Sequence, residues 1–122
     1  MDDNETTTHV PMPTSRTGRI AYLNDRLRCR LKGGQLAVTR GILDLCGGAY
    51  APKIVERVQA FDDFSADNDP YCERDFGAFD FLGHQINWRI DYYDLDMRYQ
   101  SADPADPAIT IRLLTIMLAA EY

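Results

Sequence analysis

The stretch Phe76-Gly77-Ala78-Phe79-Asp80-Phe81-Leu82-Gly83-His84-Gln85-Ile86-Asn87-Trp88-Arg89-Ile90-Asp91-Tyr92-Tyr93-Asp94 alternates apolar and polar residues on both sides of a glycine. Alternation with period two marks strands that bury one face. Leu82-Gly83-His84-Gln85 reads as a two-residue hairpin turn with Gly at the first central position. That turn pairs Phe81 with Ile86 and Phe79 with Trp88. It sets Gly77 opposite Ile90, where the missing side chain leaves room for the indole. One face then carries Phe79, Phe81, Ile86, Trp88, Ile90 and Tyr92. The other carries Ala78, Asp80, Asn87, Arg89, Asp91 and Tyr93, with Arg89 placed to offset Asp80 and Asp91. His84 lies at the hairpin tip as a turn residue.

Downstream, the Asp94-Leu95-Asp96 turn leads to a short third strand near 97–100. Asp103-Pro104-Ala105-Asp106-Pro107 then reads as a loop ending in an N-cap, Asp106, with Pro107 at the first helical position. The run 109–120 is apolar almost all round and is expected to form a helix buried against the sheet. Its β-branched residues Ile109, Thr110, Ile111, Thr115 and Ile116 also suit a strand, and the cap decides for helix.

Upstream of the hairpin, 62–75 is an acidic loop dense in turn formers: Asp62-Asp63-Phe64-Ser65-Ala66-Asp67-Asn68-Asp69-Pro70-Tyr71-Cys72-Glu73-Arg74-Asp75. Clustered carboxylates suggest calcium, but an EF-hand started at Asp67 puts Tyr71 at a ligand position and Cys72 at the glycine position. The loop reads instead as turns whose Asp and Asn side chains bond their own backbone. A helix is expected over 52–61, opened by Pro52 and packed through Ile54, Val55, Val58 and Phe61. Gly41, Gly47 and Gly48 carry no phosphate-loop pattern. A short strand is expected at 35–40. Before it, Ile20, Leu23, Leu27 and Leu31 stripe a helix over 19–31, capped by Thr17 or Ser15 and closed by Gly33-Gly34. Its arginines, Arg26 and Arg28 among them, read as a solvated surface. The expected fold is α+β: a small antiparallel sheet of the hairpin at 76–94 with strands near 35–40 and 97–100, on about three helices. Residues 1–13, with His9, read as a flexible tail, and 14–122 as one domain.

The chain has 122 residues, 45% of them hydrophobic and 26% charged, a composition that suits one globular domain. It holds no apolar run of membrane-spanning length, and its start is acidic and polar, unlike a signal peptide. Cys29, Cys46 and Cys72 lack CxxC spacing and leave one thiol over, which points to reduced thiols in a cytoplasm. The net charge of −6 is unevenly spread. Residues 14–60 hold nine basic and three acidic side chains; 61–108 hold twelve acidic and three basic. Such acidity disfavours nucleic acid and membranes and favours basic proteins.

Several stretches together resemble a small bacterial family of domains of unknown function, number 3768. They are 34–41, the run Phe64–Tyr71, Asp75-Phe76-Gly77, Ile90-Asp91-Tyr92-Tyr93-Asp94, Asp103–Pro107 and Leu114–Tyr122, spanning about 16–122. The family pattern has Gly where this chain has Cys72 and His where it has Arg74. The resemblance implies an accessory role on mobile elements and no particular reaction.

Nucleophilic catalysis lacks a credible base, since His9 sits in the tail and His84 on a turn. Cys72 lies among carboxylates, which makes it a poorer nucleophile. No catalytic residue, metal or cofactor is therefore expected. The leading expectation is an interaction protein that inhibits a host defence system, of anti-CRISPR or anti-restriction type. It would bind a basic protein surface such as that of a defence nuclease or effector subunit. Asp62, Asp63, Asp67, Asp69, Glu73 and Asp75 supply charge in this reading, with Tyr71, Tyr93 and Tyr99 as anchors. Asp67, Asp69 and Glu73 lie on no apolar stripe, so neutralising these three should spare the fold. The alternatives are a carboxylate-based divalent-metal hydrolase or nuclease, and a nucleic-acid-binding regulator using the basic helix.

Overall fold

The computed structural model describes residues 12–122, so most of the expected tail, His9 included, lies outside the described residues. Among the described residues, three helices cover one face of a four-stranded mixed sheet. The elements are α1 (Arg16–Arg30), β1 (Gln35–Val38), α2 (Arg40–Asp44), α3 (Ala51–Ala60), β2 (Phe76–Phe81), β3 (His84–Tyr93) and β4 (Ile111–Leu118). The sheet order is β1-β4-β3-β2, with β1 parallel to β4 and the other pairs antiparallel. The fold class is α+β as expected, but the sheet is mixed rather than antiparallel.

Ser15 caps α1, its hydroxyl accepting from the Gly18 amide. At the other end Leu31, not a glycine, takes the left-handed position, with φ 55°. Its N–H caps the Arg26 and Leu27 carbonyls. Ile20, Leu23 and Leu27 of the expected stripe are buried while its fourth member, Leu31, is exposed, and Ile54 and Val58 seat α3 on the same core.

The hairpin forms, with its turn one residue earlier than expected. Leu82 and Gly83 are the central pair, both at positive φ (51° and 87°), the backbone that matches strand twist in a tight hairpin. Phe81 therefore pairs with His84, Phe79 with Ile86 and Gly77 with Trp88. The register moves by two residues, so every side chain keeps its expected face. Trp88 and Ile86 are fully buried, among Phe61 and Phe64 from the acidic loop's root.

Within 109–120 the chain forms a strand, Ile111–Leu118, correcting the expected C-terminal helix. Asp106 makes a turn instead of a cap: its carboxylate accepts from the Ala108 amide and its carbonyl from the Ile109 amide. β4 is an inner strand, its two edges paired with β1 and β3. Leu114 and Ile116 face the helices, and Met117 is buried on the opposite face. The strand expected near 97–100 reduces to one bridge between Tyr93 and Gln100.

The chain end is stapled to the sheet. The Glu121 carboxylate accepts from the Thr39 hydroxyl at 2.6 Å, the Leu118 amide at 2.8 Å and the Gly41 amide at 3.0 Å. Tyr122 then turns back beside Phe76 and Arg89.

Candidate functional site

Two features gather polar side chains: a cleft at the Tyr93 end of β3, and the loop at 62–75. The cleft encloses about 280 Å³ and is lined by Asp75, Asp91, Tyr92, Tyr93, Gln100 and Ser101 among others. Behind it lies a buried polar chain. Arg112, the lone charge of β4, donates through Nε to Asn24 Oδ1 at 2.8 Å and through Nη2 to the Pro104 carbonyl. Asn24 Nδ2 donates to the Tyr92 hydroxyl at 2.7 Å and to the Glu73 carbonyl at 3.0 Å. The Arg112 guanidinium also stacks on the Tyr92 ring. One element from each corner of the fold is tied here: α1, the loop, β3, β4 and the Asp103–Pro107 turn.

Burial sets the electrostatics of this region. It pushes the Asp75 carboxyl above the usual carboxylate range, reinforced by Asp69 and Asp91 and partly offset by hydrogen bonding, that of Tyr92 included. Burial, then the charge of Asp75, raises Glu73 as well. The Tyr92 phenol is pushed far up by burial, which keeps it protonated and a donor. Burial also lowers Arg112 from the usual guanidinium value. A cleft with a carboxylate held above its usual range, beside a tyrosine donor, suits a cationic or hydrogen-bonding group.

The nine residues singled out from sequence do not form one patch. Asp75 and Tyr93 line the cleft, and Glu73 borders the polar chain behind it. Asp69 is a structural residue: it is 8% exposed, and its Oδ1 accepts from the Glu73 and Arg74 amides, both at 3.0 Å. This corrects the expectation that neutralising it spares the fold. Asn68 likewise ties the loop, accepting from the Ser65 amide and donating to the Asp63 carbonyl, as turn chemistry required. Asp62, Asp63 and Asp67 are exposed and form no salt bridge among the described residues. Tyr71 and Tyr99 are 78% and 70% exposed.

Arg28 corrects another expectation, because it is 2% exposed rather than solvated. Its Nη1 donates to the carbonyls of Val58, Gln59 and Phe61 at the end of α3. Its guanidinium lies over the rings of Phe64 and Trp88, and Asp25 balances its charge at 3.2 Å. Asp25 also pairs with Arg74 at 3.1 Å. Asn24, Tyr92 and Arg112 escaped the sequence reading as site residues. The signal for Arg112 was present: a single arginine inside an otherwise apolar run.

Among the described residues, no group of three or more His, Cys, Asp or Glu side chains is arranged to hold a metal ion. No helix among them is long and apolar enough to cross a membrane. The sequence matches the family described as "Protein of unknown function (DUF3768)" over residues 38–121, and the chain belongs to that family. No curated protein and no solved structure matches it. The match takes in the loop, the hairpin, the cleft and β4, and leaves α1 outside.

Proposed function

We propose that this family member is a small, non-catalytic interaction protein whose acidic side binds a basic surface on another protein. The observation that carries the reading is the unequal fate of the two charge groups. Two arginines are used inside the fold: Arg28 caps α3, and Arg112 anchors the polar chain. Asp62, Asp63 and Asp67 instead point to solvent without salt-bridge partners among the described residues. Unpaired surface charge of one sign speeds encounter with the opposite sign and selects partners. The exposed Tyr71 and Tyr99 rings supply the amphipathic contact area that interfaces favour. In its finer form the reading is an inhibitor of a defence nuclease or effector, offering carboxylates where that partner would take nucleic-acid phosphate. The mobile-element role that the family resemblance implies is what supports that form.

The test is capture of binding proteins from a bacterial lysate by the wild type and by Asp62→Asn/Asp63→Asn/Asp67→Asn, then affinity measurement on the captured partner. Exposed charges act over a Debye length of about 10 Å at 0.1 M salt. Wild-type affinity should therefore fall steeply with salt, and the triple variant should associate at least tenfold more slowly. Salt-independent binding, or equal binding by the variant, would overturn the acidic-face reading.

A further inference from the structure

The β2 edge of the sheet extends this reading, and the inference rests on it. β2 is an edge strand, and the Ile90 amide donates to the Asp75 carbonyl at 2.9 Å. That bond fixes the alternation of the antiparallel ladder. Asp75, Gly77, Phe79 and Phe81 turn their backbone groups toward β3. Phe76, Ala78 and Asp80 turn theirs away from it. Arg57 takes the Asp80 carbonyl at 3.4 Å, which leaves the amides and carbonyls of Phe76 and Ala78 facing outward. Edges of this kind are templates for another strand unless charge, bulges or a covering element blunt them. No other strand among the described residues covers this one.

Beside the edge is a groove of about 330 Å³ between the end of α3 and β2. Asp62 and Asp63 stand on its rim and Ala78 and Phe79 form its wall. Arg57 lies along it, its guanidinium held over Phe79 at 4.8 Å. Both rim carboxylates lack a salt-bridge partner among the described residues, so the groove keeps negative charge beside unpaired backbone.

The geometry points to strand addition: an extended segment of the partner pairs with Phe76 and Ala78, and its lysine or arginine side chains meet Asp62 and Asp63. Backbone bonds supply affinity in this mode, and alternate side chains supply specificity. A basic residue at every second position satisfies both demands at once, because alternate side chains of a strand share one face.

The probe is a capped heptapeptide, Thr-Lys-Val-Arg-Val-Lys-Thr, titrated into the full chain with amide exchange read residue by residue. Binding should slow exchange at Phe76 and Ala78. Ala78→Pro should weaken binding at least tenfold with an unchanged melting temperature, because the lost N–H bonds nothing in β3. Should that variant unfold, the wild type with the peptide N-methylated on its pairing side makes the same test. Protection confined to Tyr93 and Ser101 would overturn strand addition and leave the basic-partner reading standing. So would a captured partner whose salt-steep binding ignores Ala78→Pro. Equal binding of Thr-Glu-Val-Glu-Val-Glu-Thr would overturn the charge match, and no binding of the basic peptide would overturn the inference. Protection of Phe76 and Ala78 that grows with protein concentration alone would assign the edge to a second copy of this chain instead.

Discussion

Gly77 and Trp88 face each other across the hairpin so closely that a Cβ at 77 would lie 2.4 Å from the indole Nε1. The indole is fully buried under Phe61, Phe64 and the Arg28 guanidinium, so it has nowhere to retreat. Gly77→Ala should therefore destabilise by about 1–3 kcal/mol through overpacking. Trp88→Ala should cost about 3–5 kcal/mol by the opposite route, a cavity. Urea midpoints measure both. An unchanged midpoint in Gly77→Ala would place the indole elsewhere.

Arg28 should behave as a core residue despite its charge. Arg28→Ala leaves the carbonyls of Val58 and Phe61 without their donor and strips the stack beneath Phe64. The expected loss is about 3–5 kcal/mol. Arg19→Ala, on the same helix and outside every salt bridge described, should stay within about 0.5 kcal/mol. Thermal melts of the two variants separate a structural arginine from a surface one.

Cys72 holds a left-handed backbone at φ 58° with an exposed side chain. A non-glycine residue there costs about 1–2 kcal/mol, and glycine's greater chain entropy returns about half of any gain. Cys72→Gly should therefore be neutral or stabilising by up to about 1 kcal/mol. Arg74, at φ 56°, should not tolerate the same change, because its guanidinium pairs with Asp25 and covers Phe64. The denaturant midpoint of Arg74→Gly should fall, and that of Cys72→Gly should hold or rise.

The raised carboxyl of Asp75 has a defined pH signature. Its protonated form is favoured by the fold, so its contribution is complete below the unfolded value, about pH 4, and is lost as pH rises through the higher folded value. Asn is neutral throughout. Asp75→Asn should therefore exceed the wild type in urea midpoint at pH 7 and match it near pH 3.

Glu121 should show the reverse. Hydrogen bonds from Thr39 and the Leu118 amide hold its carboxyl below the usual range. Its contribution is present above the unfolded value, about pH 4.3, and is lost as pH falls through the lower folded value. Glu121→Gln should lose about 1 kcal/mol at neutral pH, and the difference should close as the solution is acidified. A constant gap at all pH values would mean that the carboxylate charge plays no part.

Periodicity alone settled which residues of the hairpin are buried. Phe79, Phe81, Ile86, Trp88 and Ile90 share the helix-facing side although the turn sits one residue earlier. A shift of two along the register leaves side-chain parity unchanged. The stripes of α1 and α3, and the self-bonded turns of the acidic loop, were equally local and equally legible. The run 109–120 was not. An apolar, β-branched segment suits a central helix and a central strand alike, and the choice fell to the open edges of β1 and β3 beside it. The site followed the same rule. Asn24, Glu73, Tyr92 and Arg112 are scattered along the chain, and no spacing links them. Their hydrogen bonds exist only because the packing of α1 on the sheet removes water that would otherwise satisfy each one. Arg28 was misplaced for the same reason, since a helical arginine looks solvated until the end of another helix arrives to accept its hydrogen bonds.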